Sequence, residues 1–172
     1  MTTRRGGTIL AVALMALTLT ACAEPQTAPE ETTSMITWQQ AKAATQAKEL
    51  EIAALVPSED VAGIDQNAKG GLFTCDETQH RWKGITTVRL VPGADAEAIT
   101  KTMEEQVDTL FPEGDFEVSN RRGITDKYVA TVESPTTGEG YLFGEGQPGT
   151  IVIDSYSVCF TLPEDTYPGG DF

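Results

Sequence analysis

Hydrophobic residues recur at helical spacing in two stretches of the chain. In the clearer one, Ile99, Met103, Val107 and Leu110 follow Asp95, a residue type that is common at helix N-termini. Three to four residues separate each apolar position from the next, so these side chains fall on one face of a helix. The pattern predicts an amphipathic helix that packs this face on a core.

The other stretch, 38–56, is rich in Ala, Gln, Glu and Lys, which favour helices. Thr37 and Gln40 have the spacing of a capping box at its start. Its apolar stripe has a polar gap at Lys48 and Glu49. We therefore expect a helix with a modest apolar face that packs on the rim of a sheet.

Short segments rich in β-branched and aromatic residues, separated by glycine and proline turns, predict strands. The segments are 72–75, 79–91, 115–120, 128–133, 141–144 and 150–160, whereas 57–71 is assigned to a loop. Short connections between the last four indicate an antiparallel meander. The predicted fold class is α+β, an antiparallel sheet of five to six strands with two helices packed on one face.

The longest predicted strand does not keep a strict alternation of apolar and polar residues. Trp82, Ile85, Val88 and Leu90 are its apolar members, and the phase changes between the first and the second. A bulge at Gly84 would shift the register by one residue and restore the alternation. We therefore predict a bulge there.

The N-terminal region has the charge and length of a bacterial secretion signal. Arg4 and Arg5 precede the apolar run 9–19, which is shorter than the roughly 20 residues that a membrane-spanning helix needs. The run ends in Leu19-Thr20-Ala21-Cys22, a branched apolar residue and two small residues before a cysteine. In this respect the chain resembles a bacterial lipoprotein precursor.

The resemblance implies cleavage between Ala21 and Cys22, a diacylglyceryl group on the Cys22 thiol and a usually acylated amino terminus. The lipid bilayer would then be a partner, with the protein anchored to the extracytoplasmic side of the cell membrane, because two or more acyl chains give stable anchoring. The alternative is an ordinary secreted protein that is cleaved after Ala21 or Ala23.

The composition along the chain suggests four segments. Residues 1–21 form the signal peptide, 22–36 a lipidated flexible tether rich in Pro, Glu and Thr, 37–161 a single α+β domain, and 162–172 a flexible C-terminal tail. The domain is large enough to bury one hydrophobic core.

Acidic residues outnumber basic ones by 26 to 12, which gives a formal net charge of −14. Such a balance argues against nucleic-acid binding, which needs clustered Lys and Arg. An acidic surface keeps an exported protein soluble, and it could also attract cations or basic partners.

Cys75 and Cys159 remain once Cys22 is assigned to lipidation. An even pair of cysteines outside the cytoplasm predicts a disulfide, here one that joins the first predicted strand to the last. In that last strand we place Val152 and Phe160 on one face and Cys159 on the other. A zinc site is not expected, because the chain has one histidine and no Cys-x-x-Cys pair.

Other residues that could take part in catalysis or binding have plainer explanations. The G-x-G-x-x-G match at 144–149 precedes a β-branched segment and is predicted to be a hairpin loop, since a dinucleotide site needs a helix there. His80 has neither a serine elbow nor a Ser-x-x-Lys motif to act with, and we expect it to be exposed at a strand start. Acidic residues that could bind Ca²⁺, but lack its loop motif, are Glu104, Glu105, Asp108, Glu113 and Asp115. Aromatic residues that could form a ligand platform, or simply pack, are Trp38, Trp82, Tyr128, Tyr141 and Tyr156.

Several short motifs resemble those of small lipoproteins from high-GC actinobacteria. They are Gly71-Leu72-Phe73-Thr74-Cys75, Trp82-Lys83-Gly84, Val91-Pro92-Gly93-Ala94-Asp95 and Tyr156-Ser157-Val158-Cys159-Phe160. The resemblance covers roughly residues 70 to 160 and implies a fold and a compartment, without implying a reaction.

We expect no catalytic residue, no cofactor and no metal site. The sequence favours a membrane-anchored extracytoplasmic lipoprotein whose domain binds a protein or another component of the cell envelope. The alternatives are an envelope hydrolase that uses carboxylates alone and a domain that binds a small ligand between helix and sheet.

Overall fold

The structure, a computed structural model, describes residues 36–172. It contains two α-helices, α1 (Trp38–Ala53) and α2 (Ala96–Val107), and two 3-10 turns, Ser58–Asp60 and Asp108–Leu110. The strands are β1 (Val61–Gln66), β2 (Gly71–Thr74), β3 (Gln79–Leu90), β4 (Glu117–Arg122), β5 (Tyr128–Glu133), β6 (Gly140–Glu145), β7 (Thr150–Tyr156) and β8 (Phe160–Thr161).

All eight strands belong to one antiparallel sheet. Its main order is β1-β3-β7-β6-β5-β4, and the short strands β2 and β8 each pair with β3. The predicted α+β class and the meander of the second half are confirmed. The loop assigned to 57–71 was wrong, because it contains β1, whose few large apolar residues give a weak pattern of their own. The long β3 supplies the partner that this strand needs.

Both helices lie on the same face of the sheet, as predicted, with α1 over β3 and β7 and α2 over β5 and β6. The capping box at the start of α1 is present: the Thr37 hydroxyl accepts from the Gln40 N–H at 3.2 Å, and the Gln40 side chain accepts from the Thr37 N–H at 2.9 Å. At the start of α2, the Asp95 carboxylate accepts from two backbone N–H groups. The predicted stripe of α2 fills the core, with Met103 and Val107 fully buried.

Strand β3 runs without a bulge at Gly84, so that prediction was wrong. Its pairing with β7 is continuous from Lys83 to Arg89, and burial alternates regularly along it. Gly84 and Thr86 belong to the buried face, whereas Ile85 lies on the opposite face of the sheet. The alternation looked broken because an apolar residue points outwards while a glycine and a threonine point inwards.

The buried face of β3 makes room for Glu49 of α1, a fully buried carboxylate. It accepts hydrogen bonds from the Gln66 amide at 2.8 Å, from the Thr86 hydroxyl at 2.7 Å and from the Ser155 hydroxyl. Glu49, one of the two residues of the polar gap in α1, thus points into the core. Hydrogen-bond donors from three strands satisfy its carboxylate. Gly84 lies beneath it: a Cβ there would be 2.3 Å from the Glu49 carboxylate.

A bidentate ion pair joins α2 to the end strand β4. Arg122 donates to both Glu97 oxygens, at 2.6 and 2.8 Å. The hydrogen bonds from Arg122 and from Lys101 lower the pKa of Glu97 to about 2. Asn120 of the same strand donates to Glu104 of α2 at 2.7 Å. These contacts hold the edge of the sheet against the helix layer.

The end of the chain differs from the prediction in two respects. The segment 150–160 is interrupted after Tyr156, so Phe160 belongs to the buried side and does not share a face with Val152. The predicted tail 162–172 ends in a packed residue: Phe172 lies edge-on to Trp38, with ring centroids 5.3 Å apart, and exchanges two backbone hydrogen bonds with Gly70.

Candidate functional site

The face of the sheet that points away from the helices, called here the outer face, extends across strands β4, β5, β6, β7 and β3. The strand registers place its residues in rows that cross the sheet. One row runs Arg121, Val129, Gly144, Val152, Thr87; the next runs Ser119, Thr131, Leu142, Asp154, Ile85; a third runs Glu117, Glu133, Gly140, Tyr156, Lys83. Both helices of residues 36–172 pack on the opposite face of the sheet.

A shallow groove crosses the first two rows, which we call the outer groove. Its floor is Gly144, where a Cβ would lie 2.4 Å from the Tyr128 carbonyl oxygen, so a side chain is excluded by the close approach of β5. Val129 and Val152 form the walls on either side of this glycine, and Leu142 lies next to them. The recess has a volume of about 280 Å³, with Arg121 at its edge.

A cluster of aromatic and cationic side chains lies at the other end of the outer face. The Tyr156 ring packs edge-on against Phe73, with centroids 5.8 Å apart, and the Arg81 guanidinium lies 4.6 Å from the Tyr156 centroid. Lys83 forms an ion pair with Asp154 at 2.8 Å. Phe73 is 48% exposed although it is a large apolar residue. We call Phe73, Arg81 and Tyr156 the aromatic–cation cluster.

Arg81 of this cluster has unused hydrogen-bonding capacity. It donates from Nη1 to the Gly138 carbonyl at 3.2 Å, but its Nε is buried and has no hydrogen-bond partner within the described part of the chain. Nor does its guanidinium form an ion pair with any carboxylate of residues 36–172. The outer face therefore carries an arginine that has no ion-pair partner among residues 36–172.

The predicted disulfide is confirmed. Cys75 and Cys159 are bonded, with their Cα atoms 6.4 Å apart. Cys75 directly follows β2 and Cys159 directly precedes β8, so the bond joins two short strands that pair with the first half of β3. The lipidation and cleavage residues Ala21 and Cys22 lie outside the described residues.

His80 is half-buried in β3, between Thr74 of β2 and Phe160 of β8, and is therefore not the exposed residue that we expected. Its Nδ1 is buried without a hydrogen-bond partner among residues 36–172. A catalytic histidine needs a nucleophile or an orienting carboxylate in hydrogen-bond contact, and the described residues place neither of them on this ring.

The acidic residues of α2 and the loop after it do not converge. No group of three or more potential metal ligands occurs within residues 36–172. Glu104 accepts hydrogen bonds from Asn120 and from the Tyr128 hydroxyl, and the bond from Tyr128 raises the pKa of that phenol to about 12. Glu105 and Asp108 are exposed. This side of the domain is a solvated helix face.

The five aromatic residues that could have formed one ligand platform are dispersed. Trp82 and Tyr141 are fully buried, Trp38 packs against Phe172, and Tyr128 lies against α2. Tyr156 alone of the five lies on the outer face. Burial also raises the pKa of Tyr141. Most of these residues thus have a packing role.

The glycine-rich segment 144–149 connects β6 to β7 as a hairpin, as predicted, with the Gly146 N–H donating to the Thr150 carbonyl at 3.1 Å.

Sequence reasoning missed the outer groove, although a signal was present. Strand β7 carries Ile151 and Ile153 on one face and Val152 on the other, and apolar residues on both faces of an antiparallel strand are unusual when one face is solvated.

A second recess, of about 470 Å³, lies on the helix side at the end of α2, next to β4. Phe111, Phe116, Val118 and Val132 form its apolar lining, and Gly114 lies at its edge. We call it the edge recess. Its volume and its position next to α2 and β4 suit the small-ligand site that we expected between helix and sheet.

Within residues 36–172, no helix is both long enough and apolar enough to cross a membrane. No protein-family model, no curated protein and no solved structure matches this chain.

Proposed function

We propose that this chain is a lipid-anchored extracytoplasmic lipoprotein, and that its domain is a binding module that contacts a partner protein through the outer face. The observation that carries the proposal of binding is the uncovered outer face, with apolar side chains at its centre. The anchor rests on Leu19-Thr20-Ala21-Cys22 and on the disulfide, a bond that persists mainly outside the cytoplasm.

Antiparallel sheets with one solvated face usually carry polar residues on that face. Here Ile85, Leu142, Val152 and Phe73 occupy outward positions, and the outer groove and the aromatic–cation cluster interrupt the surface. Contiguous apolar surface with a polar border is typical of sites of protein interaction. A rigid sheet also keeps such a site preorganised.

The arrangement indicates the chemistry of the partner. Val152 pairs with Thr87, which lies six residues along β3 from Arg81, so Arg81 and Val152 are about 20 Å apart. A partner that spans both would bring apolar side chains to the groove and a carboxylate to Arg81. Arginine and aromatic residues are the types that contribute most to such contacts.

The anchor is tested by growing cells with a clickable fatty acid and comparing the full chain with the Cys22→Ser variant. We expect label on the chain and none on the variant, with the variant released from the membrane fraction. A membrane-bound chain without label, or equal label on both proteins, would contradict the anchor.

The binding face is tested by cross-linking in intact cells with two variants that add the same charge. Val152→Glu places a carboxylate in the outer groove, and Gln106→Glu places one on the exposed face of α2. We expect the cross-linked partner band to be lost with Val152→Glu and retained with Gln106→Glu. Retention in both variants, loss in both variants, or no partner band with the unmodified chain would each refute the outer face as the site.

A further inference from the structure

We propose that a second copy of this chain pairs with strand β4, edge to edge and antiparallel, to form a two-fold symmetric dimer with one continuous sheet. This proposal goes beyond the binding module and does not depend on it. It rests on the backbone of β4, on the charges along it and on one exposed isoleucine.

Strand β4 is an open edge of the sheet. It pairs with β5 on one side, and all six of its residues are exposed. Its ladder with β5 has no register shift, and the strand contains neither proline nor lysine. The other outer strand, β1, has a bulge between Val61 and Gly63, a device that discourages pairing at an edge. Strand β4 has no bulge, and its charged residues are of both signs, Glu117, Arg121 and Arg122.

The hydrogen-bond phase of the hairpin shows which backbone groups of β4 are free to pair. The Gly123 N–H donates to the Lys127 carbonyl at 2.8 Å, so alternate residues from Gly123 backwards bond to β5. The N–H and C=O groups of Val118, Asn120 and Arg122 therefore point away from the sheet. A two-fold axis through Ser119 would place Val118 opposite Asn120 of the second copy, which makes them a hydrogen-bonded pair.

The same register pairs opposite charges. With the axis through Ser119, Glu117 lies directly opposite Arg121 of the second copy, and both belong to the outer face. Neither side chain forms an ion pair or a hydrogen bond with any of residues 36–172. Opposite charges directly across two strands stabilise their pairing. Since the axis repeats the contact, the dimer gains two such pairs.

Ile124 adds an apolar contact on the helix side. It lies at the tip of the β4–β5 turn with its side chain fully exposed, and Val118 of the same edge is 38% exposed. The register places Arg122, two residues before Ile124, opposite Phe116 of the second copy, and both chains turn just beyond these positions. Gly114 borders the edge recess, whose lining includes Phe111 and Phe116. Each Ile124 side chain would therefore lie beside the apolar recess of the other copy.

Cysteine cross-linking tests this register in the full chain, in its own membrane. Residues opposite each other at a non-hydrogen-bonded position have Cα atoms about 4.5 Å apart, which a disulfide can join. We expect Ser119→Cys to give a dimer on oxidation, with at least about tenfold more product than Thr131→Cys, which lies one strand inwards on the same face. Glu117→Cys should cross-link poorly to itself, but well to co-expressed Arg121→Cys.

The contacts are tested in the Ser119→Cys background. Glu117→Arg should reduce the dimer and adding Arg121→Glu should restore it. Ile124→Ser should reduce it as well, whereas Tyr167→Ser, at another exposed apolar residue, should leave it unchanged. A folded Ser119→Cys chain that stays monomeric, or that cross-links no better than Thr131→Cys, would overturn the proposal. A yield of cross-linked dimer that Glu117→Arg leaves unchanged would overturn the register.

Discussion

Replacing Gly84 by alanine tests the packing of the buried carboxylate most directly. An added Cβ would lie 2.3 Å from a Glu49 oxygen and 2.3 Å from two atoms of the Trp82 ring. Both side chains are fully buried, so neither can swing into solvent. Carbon atoms in good contact are about 3.5–4.0 Å apart, so the ring must move by more than 1 Å or the strand must shift.

Two opposite effects set the change in the free energy of unfolding that Gly84→Ala causes. A protein with alanine at an interior strand position is normally more stable than one with glycine by about 0.5–1 kcal/mol. The reason is that an alanine backbone loses less conformational entropy on folding. Overpacking of a tight core typically costs about 1–3 kcal/mol. Since the new methyl group meets two immobile groups, we place the cost for Gly84→Ala at the upper end. The expected net loss in the free energy of unfolding is about 2 kcal/mol.

Urea unfolding with the disulfide intact measures this change, and a loss of this size lowers the midpoint by about 1 M. Gly71→Ala is the matched control, because nothing lies within 4 Å of a Cβ at that strand position. Its stability should be unchanged or slightly higher. Trp82→Phe removes the two ring atoms in the clash, so the loss caused by Gly84→Ala should be smaller in that background. If Gly84→Ala were as stable as the unmodified chain, the close approach of Glu49 and Trp82 to this glycine would be refuted.

Three further predictions concern stability and titration. Replacing both Cys75 and Cys159 by serine should cost about 2–5 kcal/mol in urea unfolding, because the bond closes a loop with a sequence separation of 84; an unchanged midpoint would contradict this. The pKa of Glu97 is about 2 when folded and 4.5 ordinarily, so its ion pair stabilises above pH 4.5 and this stabilisation is lost as the pH falls towards 2. Glu97→Gln should flatten that part of the curve of stability against pH, and an identical curve would refute the pair. In absorbance titration Tyr128 should ionise near pH 12, and Glu104→Gln should lower this pKa; no shift would exclude their hydrogen bond.

Much of the fold could be predicted from local patterns. The regular spacing of Ile99, Met103 and Val107 identified α2, and turn residues identified the meander, because these signals act over a few residues. The pairing of Cys75 with Cys159 was also predictable, since one intramolecular connectivity was left.

The misassignments have one physical cause, namely contacts between residues that are far apart in the sequence. Strand β1 exists because β3 supplies a ladder for it, although its own residues favour a strand only weakly. Glu49 is buried because hydrogen-bond donors from three strands converge on it, which no local pattern reveals. The bulge at Gly84 was predicted because a local irregularity was assumed to cause the apolar pattern of β3. The cause is instead the contact of this glycine with Glu49 of α1.

The sequence by itself determined the class of the fold, the disulfide pair and an expectation of anchoring at Cys22, because each depends on residue type and spacing. The tertiary structure alone decided which surfaces are exposed. It placed Val152 and Gly144 side by side in the outer groove and left β4 as an exposed edge of the sheet. Those outcomes depend on strand order and register, which follow from packing between distant segments.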